Sequence, residues 1–390
     1  MKSLTNSNAL EKIIVSFNYK GQGFDISAMV TTLNIAESIT GDLVGTLSVT
    51  DDAGIIDNII LTGDEIINIS FSYFDLEIKH AFFFNGIKHI NIGAEAHKKT
   101  YQISLGSIND FISATHLVSK AYSGKSTDII GNVFVEYFVF DDLVIKKDSL
   151  STGKYIAPNI SPKKVIDTLK NTSYDEEGTS FFMYQNLFIN GVTILDSLYN
   201  MIQQEPIFEI SPRLGFADEI NKGPIKHSIG RPTNIVIDDN VDIIGVSSTG
   251  IKGKSLEFIN LDTSSYNKDL FRGTSKPATN SVKPHRANMY DNTETSLFTS
   301  ANDMQMTHAK YNTSTAFSIN ANAYNTPAIP GLCVGNMVTL IVSDSSVVRV
   351  NSPKDKYSNK YANNYIVSAI DHHFEGGLYT QNIRLSRGII

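Results

Sequence analysis

The feature that most constrains this chain is a two-residue hydrophobic period, broken by glycines, that runs from Lys12 to Ser107. Ile13, Val15 and Phe17 alternate with Ile14, Ser16 and Asn18, and a turn at Gly21–Gly23 allows reversal into Phe24, Ile26 and Ala28. Side chains two apart share one face of a strand, so the pattern is that of a sheet with one buried side. TGDLVGTLSVTDD follows, with Leu43, Leu47 and Val49 as inward residues and Gly41 and Gly45 as bend or bulge positions. GDEIINISFSYF (63–74), HAFFFNGIKHINIG (80–93) and KTYQISLGS (99–107) continue the series. Antiparallel strands this closely spaced describe a small barrel or sandwich.

Around Ile108 the period changes. INDFISATHLVSKAY and STDIIGNVFVEYF carry apolar residues three and four apart and predict short helices. SPKKVIDTLKNTSY predicts a helix with Ser161 as N-cap, Pro162 at the first position and Val165, Ile166 and Leu169 as its apolar stripe. SFFMYQNLFINGVTILDSLYNMI predicts two strands across an Asn190–Gly191 turn, then a short helix. Strand texture returns at Asn234 and resumes from Thr315 to the end. Between them, 263–307 is polar, includes Pro277 and Pro284, and reads as a loop or arm.

The expected fold is therefore mainly β, α+β overall, with two related small antiparallel β-barrels and an inserted α+β region. The first barrel spans 1–110 and the insertion 111–233; the second barrel is discontinuous, 234–262 and 308–390, around the 263–307 arm. A by-eye correspondence between TLNIAESITGDLVGTLSVTDD and DIIGVSSTGIKGKSLEFINLD supports the relation between the barrels.

With 390 residues, 41% of them hydrophobic, the chain has material for two or three domains. The opening MKSLTNSNALEK lacks the apolar core of a signal peptide, and no apolar run is long enough to span a bilayer as a helix. A lone cysteine, Cys333, excludes an intrachain disulfide and reads as a small buried residue. The net charge of −7 has the wrong sign for gripping nucleic acid and the right sign for a surface that DNA slides past.

Candidate chemistry does not assemble. Gly124–Lys125–Ser126 and Gly253–Lys254–Ser255 resemble the end of a phosphate-binding loop, but Ser119 and Ser248 stand where its first glycine belongs. His372 and His373 are adjacent on a strand and point to opposite faces. His80, His89, His97, His116, His227, His285 and His308 show no metal-ligand spacing. Asp51–Asp52, Asp175–Glu176–Glu177 and Asp238–Asp239 read as solvated turn charges, since paired catalytic acids normally come from separate elements. No enzyme, no cofactor and no metal is expected.

Three stretches carry a resemblance to a known family. Thr31 to Phe71, with TTLNIAESITGDLVGTLSVTDDAG and GDEIINISF, resembles the first barrel of the baseplate hub proteins of contractile-tailed phages, relatives of the tube-like part of type VI secretion spikes. SFFMYQNLFINGVTILDSLYNMIQQEP resembles their central segment. NAYNTPAIPGLCVGNMVTLIVSD and NNYIVSAIDHHFEGGLYTQNIRLSR resemble their closing barrel. The likeness covers about two thirds of the chain and lies in order and spacing rather than in a short fingerprint.

The resemblance implies a homotrimeric ring of six barrels with approximate six-fold symmetry, between a hexameric tail tube or tube-initiator ring and a trimeric central spike. Its other neighbours would be baseplate wedge proteins, with DNA passing through the lumen. The place implied is the virion's tail baseplate, assembled in the host cytoplasm. Gly63, Asp64 and Glu65, with the Pro330–Gly331 turn, are expected to fix the barrels. The alternatives are the tube portion of a secretion or pyocin-like spike trimer, and a tail-associated cell-wall hydrolase. The end of the chain just after its last strand favours a separate spike.

Overall fold

A computed structural model of the protein describes residues 12–92 except 60, 62, 64 and 74–75, then 98–211, 229–239, 255–260, 265–270, 280–285, 319–342 and 361–387. Strand β1 (Lys12–Tyr19) reverses into β2 (Gln22–Asp25) through Lys20 and Gly21, both at positive φ (48° and 79°), the backbone a tight hairpin needs. Then come β3 (Val30–Ser38), β4 (Gly41–Asp51), β5 (Ile66–Tyr73), β6 (Leu76–Ile92) and β7 (Lys99–Ser107). Leu43, Leu47 and Val49 are buried, as the alternation requires. Gly45 is not a bulge: it pairs in register with Ile35, and a Cβ there would meet the Asn34 carbonyl oxygen at 2.9 Å and Leu105 at 3.2 Å. Glycine at this site permits close approach of two strands.

The inserted region is α1 (Ile108–Thr115), β8 (Val118–Lys125), α2 (Ser126–Tyr137), β9 (Asp142–Ile145), β10 (Thr152–Ile160), α3 (Pro162–Thr172), β11 (Phe181–Gln185), β12 (Val192–Ser197) and α4 (Leu198–Ile202). The helix expected through Tyr122 stops at Thr115, whose hydroxyl donates to the carbonyls of Phe111 and Ile112. Beyond it the chain becomes β8, because pairing with β10 outweighs local helical spacing. Helix α3 begins at Pro162 as expected, but Ser161 makes no side-chain cap bond. The Lys163 N–H donates instead to Ser113 Oγ of α1, 3.0 Å away.

The remainder is β13 (Phe208–Ile210), β14 (Ile229–Gly230), β15 (Asn234–Asp239), β16 (Ser255–Asn260), β17 (Ser265–Leu270), β18 (Asn280–His285), β19 (Ile319–Pro327), β20 (Met337–Leu340), β21 (Asn363–Glu375) and β22 (Leu378–Arg387). Strands β17 and β18 fall inside the stretch expected to be loop or arm. They flank β16 in a small sheet, and Pro284 sits on its edge strand β18, where a missing N–H is tolerated. Most of the segment matched by eye to the first barrel, 241–254, lies outside the described residues.

The fold is mainly β, as expected, and its two strand sets are joined. Fourteen strands form one sheet along the path β14-β13-β20-β21-β3-β4-β7-β6-β5-β1-β2, with β22, β19 and β15 branching from β21. The shared strand is β21: Asn363–Ile366 pair with β20, and Ala369–Glu375 pair with β3. One buried cluster, from Val15 to Leu105, also takes in Leu187, Ala328, Phe374 and Tyr379 from later segments. A second gathers β19–β22 with Phe182, Tyr184, Leu198 and Met201; a third packs α2 and α3 against Phe181, Met183 and Leu195. Alternation along β11 thus sends successive side chains into two different cores.

Candidate functional site

The first and second cores meet at a buried polar junction built on Glu37, which binds Leu187 of one and Val334 of the other. Its position is set by alternation: Leu33, Ile35 and Glu37 share the inward face of β3, so the carboxylate enters the core with them. Oε1 accepts the Leu187 N–H, from the loop after β11, and Oε2 accepts the Val334 N–H at 3.2 Å. One side chain therefore ties β3 to the insertion and to the 328–336 loop. His372 of β21 is fully buried, with Nε2 3.2 Å from Glu37 Oε1, an ion-pair distance outside hydrogen-bond geometry.

His372 Nδ1 lies 2.7 Å from the Tyr379 hydroxyl, and Gln381 Nε2 donates to that hydroxyl at 3.4 Å. Gln381 Oε1 accepts the Ile329 N–H at 2.9 Å, and Tyr73 donates to the Ala328 carbonyl at 2.8 Å. Phe374 stacks on Tyr379, with Phe71 and Tyr73 edge-on, so the tip of the β21–β22 hairpin is anchored in the first core. Burial, then the charge of Glu37, pushes the Tyr379 phenol well up; burial alone does so for Tyr73. Cys333 is buried as read from sequence, and burial pushes its thiol up.

Beside the junction, His80 Nε2 is 2.7 Å from the Leu187 carbonyl, and burial holds the imidazole below its usual range despite that bond and the Glu37 charge. Asp141 accepts from Asn109 (2.8 Å), Gln185 and Thr193 (3.3 Å). The cleft between them, about 150 Å³, is smaller than the roughly 300–1,000 Å³ of typical small-molecule sites. A second charged joint links the first strand set to the helices: Lys163 of α3 reaches Asp42 at 2.9 Å and also Asp110. The arrangement holds units together: most of its donors and acceptors are spent on backbone groups and on one another, while His372 Nε2 and Asn109 Oδ1 are buried without a hydrogen-bond partner among the described residues.

The residues singled out in the sequence sit elsewhere. Gly63 has φ +100°, and its N–H donates to Glu65 Oε2 at 2.9 Å. Glu65 is buried, and its carbonyl accepts the Phe84 N–H at 2.8 Å, closing the start of β5 onto β6; Asp64 lies outside the described residues. Pro330–Gly331 is a turn, with Gly331 at φ +80°, in the same loop that delivers Val334 to Glu37. Glu37 itself was legible as the one charged residue in phase with Leu33 and Ile35, a signal the motif search passed over.

Two of the acidic groups depart from the expected solvated turns. Asp51 is buried, with Oδ2 accepting the Ile56 N–H at 2.7 Å, and Asp175 is buried, binding both the N–H and hydroxyl of Thr179. Each satisfies a loop's inner amides, which a carboxylate does better than water can at a buried position. At Gly124–Lys125–Ser126, the first amides of α2 are already used by the Ser151 carbonyl and Ser149 Oγ. Lys254 and Gly253 lie outside the described residues. His372 and His373 do face opposite sides, one buried and the other half-exposed against Asn34 and Glu375.

The outward face of the shared sheet is polar and mostly uncharged where the strand sets join. Thr380, His373, Asn34, Thr46 and Ser104 line up across β22, β21, β3, β4 and β7; Thr32, Ser48 and Gln102 form the next row. Neither row carries a lysine or arginine, but Lys88 of β6 lines the same groove as Asn34, Thr46 and Ser104, and Glu375 pairs with Thr32 at the head of the second row. Among the described residues, β2 and β14 end the main path of the sheet with one side unpaired.

No protein-family model matches the chain, and no curated protein matches it by sequence. Solved structures share its fold. The tail protein of Neisseria meningitidis MC58 superposes with a TM-score of 0.58 at 10% identity, covering 96% of each chain. The 43 kDa tail protein of prophage MuSo2 from Shewanella oneidensis gives 0.58 at 10% identity over 96% of this chain and 98% of that one. A chain of a lidless PdpA–VgrG complex gives 0.50 at 12% identity over 99% of this chain and 66% of its own length. The chain therefore has the fold of these tail proteins and of a chain of the PdpA–VgrG complex.

Proposed function

We propose that the chain is a structural tail hub: three copies form a ring of pseudo-six-fold symmetry that joins a hexameric tail tube to a trimeric central spike. The observation that carries the reading is the shared sheet. Two strand sets in one chain, locked together by β21 and by the Glu37 junction, supply two wall segments per copy and six per trimer. A closed ring also removes the sheet edges at β2 and β14, which in isolation invite pairing with other chains. The likeness to tail proteins over nearly the whole chain agrees with this placement in a virion baseplate.

The outward polar rows are the face we assign to the channel. Thr, Ser, Asn and Gln side chains offer no fixed cation to phosphates and leave Lys88 as the lysine lining that groove, so DNA would meet little adhesion there. Gly63, Asp64, Glu65 and the Pro330–Gly331 turn serve as turn-fixing positions, and the role is non-catalytic. Wedge proteins and the tube ring would contact the outer and upper surfaces. A second reading, the tube portion of a secretion spike, draws on the match to the PdpA–VgrG chain. Light scattering of the purified chain tests the ring: a mass three times 42.9 kDa supports it, and a monomer at every concentration contradicts it.

A further inference from the structure

The cleft between the first strand set and the insertion holds a carboxylate that the fold uses on one side only. Asp141 stands just before β9 and is half-buried. Its hydrogen bonds from Asn109, Gln185 and Thr193 all end on Oδ2. Oδ1 takes none among the described residues. It lies beside Gly191, 4.0 Å from where a Cβ on that glycine would stand, and both residues line the cleft. Lys163 is spent on Asp42 and Asp110, so Asp141 has no counter-ion among the described residues.

His80 lines the same cleft. A carbonyl can only accept, so His80 Nε2, 2.7 Å from the Leu187 oxygen, carries the proton. Burial holds the imidazole below its usual range, which keeps it neutral near pH 7 and leaves Nδ1 an acceptor. Gln185 is committed at both ends: Oε1 accepts the Leu43 N–H at 3.1 Å, and Nε2 donates to Asp141. Asn190, exposed, can turn its carbonyl end toward the same space. Much of the remaining lining is apolar, with Phe82, Phe140 and Ile189.

Acceptors beside an aromatic ring and aliphatic walls fit a cation carried on an apolar stem. One carboxylate oxygen remains, since Oδ2 is taken three times. A guanidinium fork is held best by two oxygens, whereas a compact ammonium is satisfied by one, so the chemistry favours an amine. About 150 Å³ is room for a guest the size of benzene, and so for the short stem of a lysine. We infer that this cleft binds a primary alkylammonium group, from a lysine of another chain or a free small amine, with Asp141 Oδ1 as counter-ion and Phe140 as aromatic wall. The site goes beyond the hub reading and does not depend on it.

Saturation-transfer NMR on the full chain tests it with n-butylammonium chloride, beside 1-butanol and butyrate as neutral and anionic probes of similar size. Butylammonium is expected to bind saturably and the other two not. Asp141→Asn keeps an oxygen for the three donors but puts an amide NH2 where Oδ1 stood, and should weaken binding about tenfold or more. Phe140→Ala, at a position 62% exposed, should weaken it about two- to fivefold. Circular dichroism checks that each variant is folded; if Asp141→Asn is not, the three probes on the parent chain and Phe140→Ala decide. Nα-acetyl-lysine N-methylamide separates the sources: binding equal to butylammonium assigns a chain-borne lysine, and binding about tenfold weaker assigns a free amine. No saturable binding of butylammonium, equal binding of 1-butanol, or undiminished binding to folded Asp141→Asn overturns the inference.

Discussion

The junction around Glu37 and the exposed apolar residues of β6 (Ile90, Ile92) and of α2 with the turn after it (Val135, Val139, Phe140) are opposites in how they treat surface. At the junction, a carboxylate, an imidazole, a phenol and an amide are withdrawn from water, with backbone groups of three units arranged around them. At the exposed positions, isoleucine, valine and phenylalanine keep more than half of their surface uncovered by the described residues. Buried polar groups cost stability unless paired, and they repay that cost by specifying one arrangement of their neighbours. Exposed apolar groups specify nothing within the chain. The first region fixes how the units of one copy sit together, and the second takes no part in that.

The largest break in that contrast is expected at Glu37. Glu37→Ala leaves the Leu187 and Val334 amides buried without an acceptor, costing on the order of 2–6 kcal/mol. Chemical denaturation reads it as a lower midpoint; an unchanged midpoint would show that the junction does not hold the units.

Lys163→Met is next, about 1–2 kcal/mol at neutral pH because Lys163 is itself one-third exposed. Burial already pushes the Asp42 carboxyl up, against the pull of Lys163, and losing the lysine pushes it further. A carboxyl whose folded pKa exceeds its unfolded value of about 3.9 keeps its protonated form in the folded state. The Asp42 contribution to the variant's stability is therefore greatest below the unfolded value and falls as pH rises from there through the raised value. A pH series of unfolding midpoints on variant and parent checks the sign.

His80 sharpens the comparison more gently. Its pKa is held down in the folded state, so its contribution is full above the unfolded value near 6.5 and is lost as pH falls through the depressed one. His80→Gln should flatten that acid limb of the stability profile. The smallest effect on the single chain is expected at the exposed apolar positions: Val139→Asp should shift unfolding by less than about 0.5 kcal/mol, read as an unchanged denaturation midpoint.

The alternation that exposed β1 to β7 in the sequence also carried the decisive information about the junction, in a form easily misread. Glu37 and His372 are each in phase with buried apolar neighbours, Leu33 and Ile35 in one case, Ile370 and Phe374 in the other. Period alone says that such a residue points inward. It does not say that β21 lies beside β3, because that pairing joins residues more than three hundred positions apart. Helix α3 was legible from Pro162 and its apolar stripe, whereas β8 was not, since its conformation comes from pairing with β10. Asp51 and Asp175 looked like turn charges because only the folded loops reveal the amides they bind.

Images of the purified chain, class-averaged down the symmetry axis, test the central claim most directly. A hub predicts a ring with a central hole and six similar lobes made by three copies. A compact particle without a hole, or a ring whose lobes do not come in pairs, would contradict it.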